Sequence, residues 1–259
     1  MKAPAFAYAK PKSLAEAFAL LQRPGAKVLA GGQSLIPSLN MRLSAPEMLV
    51  DITGLSELKT VSLKNGSLRI GALVTHAQME RDPLVRQRVS LLAQAVPHIA
   101  HAAIRNRGTL GGSLALADPA AEYPACAVAL QSTMIISGAK GERRVKADDF
   151  FKGLFDTDLK DGEILTAAEF PTGGRSVFLE LTRRRGDYAI IGLAAHESRF
   201  VFFGAGPTPV LVKGNSLAEA KAALARVEPP ADLYNSSKTK RHLAGVLLER
   251  AWNTLSKPR

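Results

Sequence analysis

The sequence predicts an α+β fold: two lobes, then a small C-terminal domain of antiparallel sheet and helices. Three observations predict it. Hairpin signals recur along the chain, helical and strand-like stretches mix without regular βαβ alternation, and the chain turns alanine-rich and helical at its end. A chain of 259 residues has room for this architecture and a sizeable core. The expected seams are Thr53 to Leu58 and Phe170 to Gly174, which divide the chain into residues 1–54, 55–170 and 171–259.

In the first lobe, Ser13-Leu-Ala-Glu16 has the form of a capping box ahead of Phe18, Leu20 and Leu21, and Pro24-Gly25 stops the helix. Lys27 to Ala30 and Met48 to Ile52 read as buried strands. In the second lobe, Leu63 to Ile70 is a hairpin turning at Asn65-Gly66. Thr75 to Glu80 opens a helix, and Val89 to Ala103 reads as a longer one. Ser132 to Ser137 and Glu142 to Val145 flank Gly138-Ala-Lys-Gly141 as a second hairpin. Glu163 to Phe170, Val177 to Thr182, Ala189 to Ala195 and Phe200 to Phe203 are further strands. Leu217 to Val227 and Lys240 to Leu255 are helical, separated by Glu228-Pro-Pro-Ala-Asp232.

Composition narrows the function classes. Apolar residues make up 46% and charged residues 22%, as in an ordinary globular protein. No apolar run approaches the ~20 residues that span a bilayer. The N-terminus has no signal-peptide core, so a cytoplasmic location is expected. A single cysteine, Cys126 in the apolar run Pro124 to Leu130, cannot make an internal disulfide, a zinc site or an iron–sulfur cluster. It reads as a small buried hydrophobe. The net charge is +11, and from Pro171 onward 14 Lys/Arg stand against 7 Asp/Glu, a local excess of +7. A basic face suits an acidic partner, an anionic ligand or nucleic acid.

Two loops carry the chemistry. In Val28-Leu-Ala-Gly-Gly-Gln-Ser34 a buried strand ends in two glycines and small polar residues before a helix-like stretch. Without Cβ atoms the backbone approaches a ligand closely, and consecutive N–H groups can point at one anion. Arg105-Asn-Arg-Gly-Thr-Leu-Gly-Gly-Ser113 repeats the theme 80 residues later, Gly31 to Gly111. Either loop alone is more often only a turn. The pair suits a diphosphate held from both sides. Neither is a G-x-G-x-x-G dinucleotide fingerprint or a G-x-x-x-x-G-K-[ST] phosphate loop. Asp118, held extended before Pro119, can accept from ribose hydroxyls, or else form an Asx turn.

In the stretches Ala30-Gly-Gly-Gln-Ser-Leu-Ile-Pro37, Ile104 to Ser113 and Ala117-Asp-Pro-Ala-Ala-Glu-Tyr-Pro124, the sequence resembles the FAD-binding medium subunits of the xanthine dehydrogenase and carbon monoxide dehydrogenase type, the molybdenum hydroxylases. Arg184-Arg-Gly-Asp-Tyr-Ala189 and Lys240-Arg-His-Leu-Ala244 extend the resemblance over nearly the whole chain. It implies that Ala30, Gly31, Gly32, Gln33, Ser34 and Leu35 line the FAD diphosphate, with Thr109, Gly111, Gly112 and Ser113 opposite. It places Asp118 near ribose or ribityl hydroxyls and Tyr188 near the isoalloxazine ring, where an ordinary strand aromatic is the other reading. Ala194 to Phe200 is shorter than the family's usual hairpin. The implied protein is an electron-transfer subunit of a heterotrimer. Its FAD takes electrons from [2Fe–2S] clusters on a small subunit, fed by a molybdenum cofactor on a large one, and passes them to an external acceptor.

Other readings are a stand-alone FAD-dependent oxidase and a basic nucleic-acid-binding protein. The first needs a substrate domain for which 259 residues leave little room. The second has Lys238-Thr-Lys-Arg241 in its favour, but only 6% aromatic residues and no recognition motif. No catalytic residue and no metal site are expected on this chain. His98 and His101 lie three apart without a carboxylate or cysteine at ligand spacing, and Arg183-Arg-Arg185 reads as a solvated or partner-facing run. Glu163 and Glu169 show no paired-carboxylate logic.

Overall fold

A computed structural model describes residues 2–257. The N-terminal part contains β1 (Ala7–Ala9), helix α1 (Leu14–Leu21), β2 (Ala26–Leu29), helix α2 (Leu35–Asn40) and β3 (Met48–Asp51). Its three strands are parallel in the order β1-β3-β2. The reason is the helical connection between β1 and β2, since a crossover returns the chain in the same direction. The central β3 is buried throughout, hence its apolar run. Ser13 Oγ accepts from the Glu16 N–H at 3.2 Å, while the Glu16 carboxylate accepts from the Lys12 N–H at 2.7 Å, one residue earlier than in a strict capping box.

The middle of the chain opens with the hairpin β4 (Val61–Lys64) and β5 (Ser67–Gly71), whose turn residues Asn65 and Gly66 both take positive φ. Helices α3 (His76–Arg81), α4 (Pro83–Arg88), α5 (Ser90–Ala95), α6 (Ala102–Arg105), α7 (Leu110–Leu116) and α8 (Glu122–Ala129) follow. The single helix expected over Val89 to Ala103 is therefore broken. Pro97 sits in a 3₁₀ turn after α5, and Ala100 has a φ of +44°, so the helix restarts only at α6. This part closes with β6 (Thr133–Gly138), β7 (Gly141–Lys146), the short α9 (Ala147–Phe150), β8 (Phe151–Gly153), β9 (Asp156–Thr157) and β10 (Ile164–Pro171). Its antiparallel sheet has the order β4-β5-β10-β6-β7, with β8 and β9 as a separate pair. Glu163 pairs with Arg143, and Glu169 with Arg69 and Arg144, so both carboxylates are structural.

The last part is a meander of β11 (Ser176–Leu181), β12 (Ile191–His196), β13 (Arg199–Phe203) and β14 (Val210–Lys213), followed by α10 (Leu217–Leu224) and α11 (Ser237–Ser256). The short stretch after Ala194 becomes a two-residue turn at Glu197-Ser198, with Glu197 at a φ of +49°. Side chains alternate across this sheet. Phe178, Ala194, Val201 and Phe203 join the core of the middle part, alongside residues of α5 and α8. Ile191, Leu193, Phe200 and Phe202 pack beneath Leu247, Leu248 and Ala251 of α11. Both faces are covered, so these strands read as near-continuous apolar runs. Cys126 is fully buried in α8. Among the described residues no helix is long and apolar enough to cross a membrane.

Candidate flavin-binding site

The two glycine loops lie against each other. Gly31 follows β2, and a Cβ there would stand 2.1 Å from the Arg107 carbonyl oxygen and 2.9 Å from Gly108 Cα. Glycine is required at Gly31 by this backbone-to-backbone approach. On the other side, a Cβ on Gly112 would stand 4.0 Å from the Ala30 Cβ. The loops therefore meet at Gly31 with Arg107 and Gly108 and at Ala30 with Gly112; Gly32, Gln33, Ser34, Leu35 and Ser113 flank these contacts, whereas Thr109 and Gly111 are buried behind them.

The loops differ in their hydrogen bonding. In the first, Gly32 has a φ of +72°, which turns the chain toward α2. The N–H groups of Gly32, Gln33 and Ser34 donate to no acceptor among the described residues. The Gln33 side chain steadies the turn by donating to the Gly31 carbonyl at 3.1 Å. In the second, Leu110 N–H donates to Val74 O and Gly111 N–H to Ala72 O. Thr109 Oγ1 accepts from Gly112 N–H at 3.1 Å and caps α7. Ser113 N–H donates to Thr109 O. Gly111 packs on Ala72, where a Cβ would stand 2.4 Å from the Ala72 Cβ. The first loop thus presents three free donors in a partly buried turn, the arrangement that holds an anion. The second loop spends its donors on its own position. These residues fit a diphosphate, with donors from one loop and close backbone walls from both.

Asp118 follows α7 and accepts from the Ala120 N–H at 2.9 Å, which is the Asx turn of the two sequence alternatives. One oxygen makes that bond, and the carboxylate also faces the Tyr188 hydroxyl. Tyr188 is 71% exposed. Partial burial of its hydroxyl, with the Asp118 and Glu122 carboxylates nearby, holds its phenol above the ordinary range. The structure thus sets Asp118 and Tyr188 side by side, although 70 residues separate them in sequence.

Four residues of this neighbourhood escape a reading of the sequence. Arg105 anchors the turn before the second loop, donating to the Ile99 and Ala100 carbonyls and pairing with Glu80 at 3.1 Å. His76 lies under Gly108, where a Cβ would meet its Nε2 at 2.6 Å. Burial, with Arg105 nearby, lowers its pKa to about 4. Glu122 begins α8, and burial, then the Glu180 carboxylate, push it up to about 8. Glu180 on β11 has a side chain only 1% exposed. The available signal is a lone acid in an apolar setting: Glu122 within Pro119 to Leu130, and Glu180 within Ser176 to Leu181. His98 and His101 do not share a helix: His98 ends the 3₁₀ turn and His101 precedes α6. Among the described residues no group of three or more His, Cys, Asp or Glu side chains could hold a metal.

Residues 4–173 match the family model described as the FAD binding domain in molybdopterin dehydrogenase. The glyceraldehyde dehydrogenase medium chain of Sulfolobus acidocaldarius is 34% identical over 99% of this chain and 100% of its own length. The carbon monoxide dehydrogenase medium chain of Hydrogenophaga pseudoflava is 34% identical over 96% of each chain. Among solved structures, quinoline 2-oxidoreductase from Pseudomonas putida 86 superposes with a TM-score of 0.92 at 38% identity, covering 98% of both chains. The chain belongs to the FAD-binding medium subunits of the molybdenum hydroxylases, as an oxidoreductase component.

Proposed function

We propose that this chain holds FAD across the joined glycine loops and relays electrons within a heterotrimeric molybdenum hydroxylase. The carrying observation is the row of unpaired N–H groups at Gly32, Gln33 and Ser34, set against the wall of the second loop. These donors, with Ala30, Gly31 and Leu35, take the diphosphate. Thr109, Gly111, Gly112 and Ser113 form the opposite wall, by shape and by the Thr109 cap rather than by free donors. Asp118 accepts from ribose or ribityl hydroxyls, and Tyr188 offers an exposed aromatic face to the isoalloxazine ring. Residues 1–54 and 55–170 are the two flavin-binding lobes, and 171–259 the C-terminal domain.

FAD, when bound, supplies the redox chemistry; the protein positions it and keeps its ring reachable. With one cysteine, the chain cannot itself bear an iron–sulfur cluster. By the family resemblance, the electrons come from [2Fe–2S] clusters on a small partner, filled by a molybdenum cofactor on a large partner, and leave to an external acceptor. Relatives of similar sequence are named for glyceraldehyde, carbon monoxide and quinoline. Such varied substrates on one medium-chain scaffold support the reading that substrate choice lies on another subunit. The test is rapid-mixing reduction of the FAD-loaded chain by aldehydes, purines and N-heterocycles, alone and with its co-purifying subunits. Flavin reduction only in the presence of the partners is expected. Fast reduction by the chain alone would establish a stand-alone oxidase instead.

A further inference from the structure

The flavin site draws on segments far apart in sequence, and one guanidinium stands between two of them. We propose that Arg105 is a positioning residue for the flavin ring: it fixes the Ala100–His101 turn, and that turn is the seat of the loop carrying Tyr188. This rests on the flavin reading given above, in which Tyr188 faces the isoalloxazine ring.

Tyr188 lies on the loop between β11 and β12, which Ile190 N–H closes by donating to Leu181 O at 2.8 Å. Gly186, two residues before Tyr188, has a φ of +86°. A Cβ there would stand 2.6 Å from both Cε1 and Nδ1 of His101, and 3.0 Å from the Ala100 carbonyl oxygen. The loop thus rests its backbone on the turn ahead of α6, an approach that glycine allows. Asp187 N–H donates to Arg184 O at 3.1 Å, which tightens the chain around Gly186. At its outer end the Tyr188 hydroxyl faces the Asp118 carboxylate. The side chain is therefore placed from both ends, by the seat under its loop and by Asp118 at its tip.

The seat is strained on its own. Ala100 has a φ of +44°, a left-handed conformation that an L-residue keeps where its surroundings over-determine it. Arg105 does this by gripping three successive carbonyls. Its Nη1 donates to Ile99 O and Ala100 O, each at 3.1 Å, and its backbone N–H donates to His101 O at 2.9 Å. Its Nε donates to Glu80 Oε2 at 3.1 Å, and the side chain is 14% exposed. A planar fork serves these partners together, and a lysine ammonium offers no such fixed geometry. Arg105 also ends α6, just ahead of Arg107 and Gly108, which meet Gly31. Contacts therefore run from the wall at Gly31 through α6 and Arg105 to Gly186, and so to Tyr188. A phenol against the flavin ring excludes water from one face, shifts the flavin potential and quenches flavin fluorescence, so a displaced seat is read at the ring.

The experiment uses the full chain with FAD bound, in wild type, Y188L, R105K and G186V, and in Y188L combined with each of the other two. Fluorescence lifetime and midpoint potential of the bound flavin are measured. Y188L should lose the quenching and shift the potential. R105K keeps a charge beside Glu80 but not the fork, and should lose most of the same quenching and shift the potential the same way. G186V pushes the loop off His101 without touching Arg105, and should do likewise. Neither should add to Y188L in the double variants, because removing the phenol removes what the seat positions. A merely structural role would lower thermal stability and leave lifetime and potential unchanged. Wild-type lifetime and potential in folded R105K or G186V would overturn the inference, as would effects that add fully to those of Y188L. Should R105K not fold, E80Q loosens Arg105 by removing its anionic partner and should give a partial loss of quenching; a wild-type lifetime there would overturn the inference. A Y188L flavin indistinguishable from wild type would overturn the ring placement and this inference, while leaving the diphosphate reading intact. Failure of wild type to bind FAD would overturn all three.

Discussion

The two glycine loops look alike in sequence and differ in what their glycines do. In the first, Gly32 takes a left-handed conformation and the following N–H groups stay free. In the second, Gly111 and Gly108 are squeezed against Ala72 and His76, and the N–H groups from Leu110 to Ser113 are spent inside the protein. One loop is built to bind and the other to stay in place. The lesson is that a glycine pair marks close approach, and only the hydrogen-bond accounting tells whether the approaching group is a ligand or the protein's own backbone.

The strongest way to break the comparison is at Gly31, the one position that belongs to both loops. Gly31→Val would drive a side chain into the Arg107 carbonyl, 2.1 Å from its Cβ. Overpacking costs roughly 1–3 kcal/mol, and backbone cannot yield as a flexible side chain does, so the upper end or more is expected. Urea unfolding should show the lost stability, and flavin absorbance a colourless protein. Retention of both would mean that the loops do not touch.

Acid should strike the second loop next. His76 supports Gly108 and its folded pKa of about 4 lies below the ordinary 6.5. Between those values the unfolded chain binds a proton that the folded chain refuses, so stability is full above pH 6.5 and falls as pH drops toward 4. The loss is on the order of 3 kcal/mol, from a gap of two to three pKa units. His76→Phe should flatten this stretch of the stability–pH curve measured by thermal unfolding. A curve of unchanged slope would assign the acid sensitivity elsewhere.

Much of this molecule is legible from the sequence. The Asn65-Gly66 hairpin and the first glycine loop between a strand and a helix follow from local rules, because turn geometry depends on a few adjacent residues. The break near Pro97 is not, because apolar periodicity outweighs a single proline. The parallel pairing of β1 with β3 is hidden too, because β1 has only three residues and its partner lies 41 positions away, Ala7 to Met48. The influence of Glu180 on Glu122 is out of reach for the same reason: it depends on α8 packing under the C-terminal sheet, which has no local signature. The free N–H groups of the first loop agree with the sequence expectation. The spent ones of the second do not, since the acceptor of Gly111, Ala72, lies 39 residues upstream.

Gly32→Ala sharpens the contrast in the binding loop. At a φ of +72° an alanine costs about 1–2 kcal/mol, and any relaxation reorients the N–H groups of Gln33 and Ser34. Loss of one hydrogen bond to a charged ligand, about 1.5–3 kcal/mol, corresponds to roughly a tenfold or larger drop in FAD affinity. Equilibrium titration of the FAD-free chain measures it, and unchanged affinity would exclude this turn from the diphosphate site.

The smallest expected effect tests the other half of the comparison. Thr109 is buried and holds the start of α7 through its hydroxyl, which accepts from Gly112 N–H at 3.1 Å. Thr109→Val keeps the shape and removes the acceptor, at a cost of about 1 kcal/mol for a lost helix cap. If the second loop serves as a wall, this variant should unfold at lower urea concentration, by about that amount, while its FAD affinity falls much less than in Gly32→Ala. The Thr109 hydroxyl is already committed to α7, so a diphosphate gains little from it. A Thr109→Val protein with wild-type stability and sharply weakened FAD binding would reverse the assignment, making the hydroxyl a ligand contact and the cap incidental.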